Sequence, residues 1–271
     1  MRVRFRGVRG SVPWSVPEGI IHGCNTPCIE VFDERTGGIL VLDAGSGIVG
    51  VNPSAMASSN VARPVALVLT HYHWDHLLGL PFFSALYQPG WDLTIHTPTL
   101  ESHDPSWLDT MFKSPFFPVP YQHLPNKPQV RMVEPGKVDV LGFEITSLEL
   151  NHPGGALAYR IKGATGDFVY ATDHEFGDPS FDEPLADFAR GAAVMVLDAH
   201  FTPEELPQHR GWGHSDWRQC AEFASANSAR SLYLFHHKPG RSDMALEQIR
   251  DEAQKVFKPT DTASEEATFD I

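Results

Sequence analysis

Long apolar runs, paired cysteines and an excess of positive charge are all missing from this sequence. No stretch approaches the ~20 apolar residues that a spanning helix needs. The segment from Met1 to Gly10 carries four arginines without the apolar core of a signal peptide. A cytoplasmic protein without a membrane association is therefore expected. The three cysteines, Cys24, Cys28 and Cys220, are too few and odd in number for a disulfide framework, and Cys24 and Cys28 lack a second pair to complete a structural zinc site. With 21 basic against 34 acidic residues the formal net charge is -13. That balance opposes non-specific nucleic-acid binding, which rests on neutralising phosphates with Lys and Arg. Neither glycine-rich stretch, Gly7 to Gly10 or Gly45-Ser46-Gly47, has the lysine of a phosphate-binding loop or the spacing of a dinucleotide site. Ser11 and Ser215 lack the strand-to-helix elbow of a serine nucleophile.

What is present is a globular composition, 42% hydrophobic with 17 Phe and 6 Trp. Short β-rich segments recur at Val3-Phe5, Ile29-Phe32, Ile39-Leu42, Val65-Leu69, Phe143-Leu150, Ala156-Ile161, Phe168-Ala171, Val194-Leu197 and Leu232-Phe235. Helical spacing is clear at Trp217, Cys220, Ala221 and Ala224, with Ser215 the expected cap, and at Leu246, Ile249, Ala253 and Val256 after Ser242. A third helix is predicted to follow His76. The mixture predicts an α/β protein with two sheets face to face and helices outside. No linker or repeat divides it, so we expect one domain over residues 1–258, with an insertion over residues 98–128 rich in Pro, aromatics and His. Residues 259–271 read as an acidic, mobile tail.

The unusual number is 14 histidines in an acidic chain. Four candidate ligands, His71, His73, Asp75 and His76, fall within six residues directly after the apolar strand Val65-Leu69. At a strand end the backbone turns. His71 and His73 can then point at one position, while Asp75 and His76 point at a neighbouring one. Imidazole suits zinc and similar borderline metals, and a carboxylate can hold a second ion or its bound water.

On these residues the sequence resembles the metallo-β-lactamase fold hydrolases. The run from His71 to His76, continuing into Leu78-Gly79-Leu80-Pro81, is most similar to ribonuclease Z and the related small phosphodiesterases. Gly10-Ser11-Val12-Pro13, Asn25-Thr26 and the D-x-G turn Asp43-Ala44-Gly45 extend the resemblance over nearly the whole chain. The element Gly211-Trp212-Gly213-His214-Ser215 resembles a bacterial group described as metal-dependent hydrolases or cyclic-nucleotide phosphodiesterase-like proteins. The resemblance implies an αββα sandwich. It also implies that His152 is a third ligand and Asp173 a bridging one, both just past a strand. Of the tandem His236 and His237, strand-end alignment favours His236. The implied site holds two divalent ions, one on His71, His73, His152 and Asp173, the other on Asp75, His76, Asp173 and His236. Zinc suits the His-rich set, and manganese or iron would fit mixed His and carboxylate ligation.

The same resemblance makes His214 a group that contacts the scissile phosphate and assists the leaving group, with Asp198 supporting it. Together with Asp75 these are the catalytic candidates. The alternative is that His214 only caps a helix and that Asp198 pairs with Arg210 or a backbone amide. His174 and His200 read as structural groups or as supports behind the site, and His22, His96, His103, His123 and His209 carry no assigned role. Phe112, Phe116, Phe117 and Tyr121 could form a lid whose rings stack on a base, or ordinary packing. The expected activity is a binuclear metal-dependent phosphodiesterase for small phosphodiesters such as cyclic nucleotides, with a homodimer compatible. The alternatives are tRNA 3′-end processing, lactone or ester hydrolysis, and a non-catalytic scaffold subunit. Only 20 residues separate His152 from Asp173. That leaves no room for a long tRNA-gripping arm, and with the acidic charge it makes nucleic acid an improbable partner.

Overall fold

The computed structural model describes every residue except 34–36, 53–63, 89, 102, 103 and 105; His103 lies outside the described residues. The first half of the chain supplies β1 (Arg2–Gly7), β2 (Cys28–Phe32), β3 (Ile39–Leu42), β4 (Pro64–Val68), β5 (Asp92–Pro98) and β6 (Gln129–Val133). The second supplies β7 (Gly136–Val140), β8 (Phe143–Leu150), β9 (Ala156–Lys162), β10 (Asp167–Ala171), β11 (Val194–Asp198) and β12 (Ser231–Phe235), then β13 (Thr260–Thr262) and β14 (Thr268–Asp270). Two seven-stranded sheets result, in the orders β14-β1-β2-β3-β4-β5-β6 and β13-β12-β11-β10-β9-β8-β7. In each, an antiparallel part gives way to a parallel one, at β3 and β4 in the first sheet and at β10 and β11 in the second.

The alternation of β8, buried at Phe143, Ile145, Ser147 and Leu150 and exposed at Glu144 and Glu149, is that of a strand with one dry face. β3 and β11 are buried at every position, because helices or turns cover their outer face while the other sheet covers the inner one. The inner layer is filled by Phe5, Val31, Leu40, Val68, Ile145, Tyr159, Phe168, Tyr170, Val196 and Phe235. Outside the second sheet pack α2 (Pro179–Ala189), α3 (Trp217–Ala226) and α4 (Asp243–Val256), burying Leu185, Cys220, Ala224, Ile249 and Ala253. Outside the first sheet the layer is built of short 3-10 turns and α1 (Trp107–Met111). This is the expected αββα sandwich. No described helix is long and apolar enough to cross a membrane.

Several expectations are corrected. No α-helix follows His76. Residues Trp74–His76, Leu80–Phe82 and Ser84–Leu86 form separate 3-10 turns. Gly79 is pinned where an added Cβ would lie 2.1 Å from the Gly45 carbonyl oxygen, and Pro81 interrupts any continuous helical bonding. The cap of α3 is Asp216 rather than Ser215, in a reciprocal capping box with Gln219. The tail is built into the fold: β13 pairs with β12 at the edge of one sheet and β14 with β1 at the edge of the other. Phe269 packs on Phe5, Phe168 and Tyr233, which anchors an otherwise polar segment. The segment over 98–128 is the crossover between parallel β5 and β6, and Phe112 and Tyr121 are buried in the outer core with Leu80 and Phe83.

Candidate metal centre

The strands β3, β4, β8, β10, β11 and β12 deliver Asp43, His71, His152, Asp173, Asp198 and His236 from their C-terminal ends. This is the edge where parallel sheets place ligands. Asp43, Asp173 and His236 all have φ near +60°, at 62°, 57° and 60°. Left-handed backbone is costly for side chains with a Cβ, though tolerated best by Asp, Asn and His, and it clusters at functional sites. Here it turns each chain sharply off its strand so that the side chain faces the gap between the sheets.

Asp173 is the centre of the arrangement. Its Oδ1 lies 3.9 Å from His71 Nε2, 3.8 Å from His152 Nε2, 3.8 Å from His214 Nδ1 and 3.5 Å from His236 Nε2, and its Oδ2 lies 3.2 Å from His76 Nε2. Around it His71, His73 and His152 form one group and Asp75, His76 and His236 another, each with donor atoms within 4.8 Å of one another. His73 Nδ1 and His152 Nε2 approach to 3.0 Å. Thus the structure brings all seven anticipated ligand residues together. His237 turns the other way, its Nε2 on the Ala263 carbonyl oxygen at 2.9 Å and its ring edge-on to His22.

Partners behind the imidazoles fix which nitrogen faces inward. His76 Nδ1 donates to Asp43 Oδ2 at 2.9 Å, and the same carboxylate accepts from the Tyr170 hydroxyl at 2.8 Å and the Thr70 amide at 2.8 Å. The Thr70 hydroxyl donates to Asp43 and accepts from His71 Nδ1 at 3.0 Å, leaving the His71 Nε2 lone pair aimed at Asp173. His152 Nδ1 donates to the Gly213 carbonyl oxygen at 2.9 Å. Such partners set the tautomer and orientation of a metal-binding imidazole. Asp75 is fixed by the Ser11 amide, which donates to its Oδ2 at 2.8 Å, with His236 Nε2 3.1 Å from the same oxygen.

Burial pushes His71 well below the usual imidazole range and His152 down to about 4, beyond what nearby Asp173 restores. Both are therefore neutral, with a free lone pair. Burial also opposes charge on His76, but Asp173, Asp43 and Asp75 outweigh it and raise its pKa well above the ordinary value. Asp173 and Asp75 are held ionised, since the facing imidazoles overcome the burial that would raise them. His71 Nε2 is buried with no hydrogen-bond partner among the described residues. The neutral imidazoles of His71 and His152 with the ionised carboxylates of Asp75 and Asp173 fit divalent cations, whose ligands must be deprotonated, and His76 would give up its proton on binding one.

Beside this cluster His214 Nδ1 donates to Asp198 Oδ2 at 2.6 Å. Burial lowers the His214 pKa, but Asp198 more than compensates and pushes it up to about 9. Asp198 also accepts from the amides of Asp173, at 3.1 Å, and His200, at 2.9 Å. Arg210 is elsewhere, donating to the Phe176 carbonyl oxygen, and Asp216 does the helix capping. Of the alternative, the capping role for His214 and the Arg210 partner are not seen, whereas Asp198 does bind backbone amides, in addition to His214. Two further groups support the arrangement. Glu175, buried, accepts from the amides of Gly211 and Gly213 and so fixes the loop that carries His214. His200 donates through Nδ1 to the His236 carbonyl oxygen and stacks on the His214 ring, with centroids 4.6 Å apart. The sequence marks His200 as a structural or supporting group, whereas Glu175 gives no signal at all.

A two-sheet sandwich with a His and Asp cluster at its strand ends defines a metallo-β-lactamase-fold hydrolase. The chain belongs to the β-lactamase superfamily: the model of the β-lactamase superfamily domain matches residues 39–237. It is 25% identical over 309 residues to ribonuclease Z of Thermoplasma acidophilum, covering 96% of this chain and 94% of that one. Among solved structures it is similar to the metallo-β-lactamase fold protein YhfI from Bacillus subtilis, with TM-score 0.74, 20% identity and coverage of 99% and 98%. It is similar also to a diphosphatase of the PhnP family, with TM-score 0.70, 17% identity and coverage of 100% and 97%.

Proposed function

We propose that the protein is a binuclear phosphodiesterase acting on small phosphodiesters such as cyclic nucleotides. His71, His73, His152 and Asp173 would hold one ion and Asp75, His76, Asp173 and His236 the other, zinc being favoured by the imidazole-rich set and manganese or iron compatible. Such a pair supplies an activated water and polarises a phosphoryl oxygen. The observation that carries the reading is the His214–Asp198 couple beside the Asp173-centred cluster. With Nδ1 committed to Asp198, His214 offers Nε2–H to a leaving alkoxide, and Asp198 stabilises the imidazolium until the proton is given up. Asp198 also braces the turn that carries Asp173, so the acid and the cluster keep one spacing.

A second reading, tRNA 3′-end processing, is favoured by the relative named ribonuclease Z. Against it, β9 and β10 are joined by only four residues, 163–166, and the net charge is -13. A polyanion would find neither an arm there nor a basic balance. The test is one metal-defined preparation assayed on cyclic AMP, cyclic GMP, bis(nitrophenyl) phosphate, precursor tRNA and a lactone. Turnover of the small diesters above the others is expected. Efficient tRNA cleavage with negligible action on every small diester would overturn the assignment.

A further inference from the structure

Two exposed indoles are carried by the turns that hold the cluster. Trp74 is 69% exposed and sits between His73 and Asp75, while Trp212 is 60% exposed and precedes Gly213 and His214. Their chains meet where His73 Nδ1 and His152 Nε2 lie 3.0 Å apart, since His152 is held by the carbonyl oxygen of Gly213. Exposed apolar side chains scattered singly need no explanation, but a large one on a rigid support beside polar chemistry does.

Trp212 is on such a support. Glu175 accepts from the amides on both sides of it, Gly211 and Gly213, each at 2.9 Å, and the Trp212 amide donates to the His209 carbonyl oxygen at 3.1 Å. Its ring stands edge-on to His209 at 4.9 Å, and His209 is itself stacked on Phe201 at 4.4 Å. A buried carboxylate, two glycines and an aromatic pair thus fix an indole whose remaining surface faces solvent. Phe116, at 81% exposure, has no comparable brace, and its neighbour Phe117 packs on Phe112 and Phe82 instead.

We propose that Trp212, with Trp74 on the adjoining turn, forms a subsite for the flat heterocycle of a nucleoside-containing diester, placing the base against the indole while the phosphate reaches the cluster beside His214. The subsite rests on the phosphodiesterase reading and names its substrate class. It would leave diesters without an aromatic group to be held through the phosphate alone.

The decisive comparison is the specificity constant for a cyclic nucleotide relative to that for a glycerol phosphodiester, in the wild type, Trp212→Ala and Trp212→Phe, all metal-loaded. Removing one base-aromatic stack should lower that ratio roughly tenfold in Trp212→Ala, chiefly through KM, with most of it restored in Trp212→Phe. Independently of turnover, adenosine monophosphate should quench the indole fluorescence of the wild type, and Trp212→Phe should lose the larger part of the quenching. Equal losses on both diesters, or an unchanged ratio together with unchanged quenching, would overturn the subsite. Wild-type enzyme that is quenched by the nucleotide yet cleaves no diester would instead refute the phosphodiesterase reading and leave the subsite standing.

Discussion

Gly211 and Gly213 offer a matched pair of perturbations. Both have left-handed backbone, φ 84° and 82°, so replacing either with Ala places a Cβ where it is strained. Each replacement should cost about 1–2 kcal/mol of folding stability on that account. The pair differs in what the new methyl meets. At Gly211 nothing lies within 4 Å, whereas at Gly213 the Cβ would fall 2.1 Å from His152 Nδ1 and 2.4 Å from Pro153 Cδ. Contacts under 3.0 Å are not tolerated, so the imidazole must retreat by about 1 Å and give up its bond to the Gly213 carbonyl oxygen. Metal–ligand distances tolerate shifts of about 0.2 Å. Losing the partner that orients a ligating imidazole weakens metal affinity by roughly 10- to 100-fold. Gly213→Ala should therefore lose that factor at the ion held by His152, while Gly211→Ala keeps wild-type affinity. Chelator competition on the metal-loaded proteins measures the affinities, and thermal melts of the metal-free proteins measure the strain in Gly211→Ala and the strain plus the clash in Gly213→Ala. Equal metal affinity in the two variants would refute the role given to His152 and its loop.

Further predictions concern single residues. His236→Ala should deplete one of two ions by elemental analysis while His237→Ala retains both, because His237 faces Ala263; the reverse result would move the ligand. The raised His214 pKa means that its proton is present at neutral pH and lost as pH rises through about 9, so turnover of a poor leaving group should fall on that alkaline limb. In Asp198→Asn burial is left to act on His214 without its carboxylate, so the limb should move to lower pH, with an activated nitrophenyl ester affected far less. An unchanged pH profile would remove the proposed acid. Asp216→Ala should cost about 1 kcal/mol by urea denaturation through loss of the α3 cap, and a neutral result would show that Ser215 or solvent can replace it.

The legible parts of this molecule were those written in local pattern. Apolar runs such as Ile39–Leu42 and Val194–Leu197 read as strands from their β-rich composition, and the structure adds that they are buried on both sides. The spacing His71, His73, Asp75, His76 after a strand announced a ligand cluster. What escaped was set by distance in the chain. The tail looked solvated because its contribution is backbone pairing at two sheet edges plus one ring, Phe269, rather than an apolar run. The apolar residues after His76 suggested a helix, yet close approach of Gly79 to Gly45 and the ring of Pro81 divide them into 3-10 turns. Phe112 and Tyr121 drew attention as aromatics near a cleft and turned out to be packing, whereas Trp212 stood out only as part of the element around His214. Glu175 could not be singled out, because its bonds to Gly211 and Gly213 span 36 and 38 positions.

The placement of residues 260–270 also dictates when the molecule can be completed during synthesis. β1 precedes its outer neighbour β14 by more than two hundred residues of synthesis, as the pairing of Arg2 with Asp270 shows. At about 5–20 residues per second, β1 waits on the ribosome for ten seconds or more with one edge unpaired. The opposite sheet waits likewise for β13. An open strand edge invites pairing with another chain. The nascent protein should therefore depend on chaperone cover late in translation, and a chain truncated near residue 258 should be a substrate for aggregation or degradation although every ligand of the cluster has already been made.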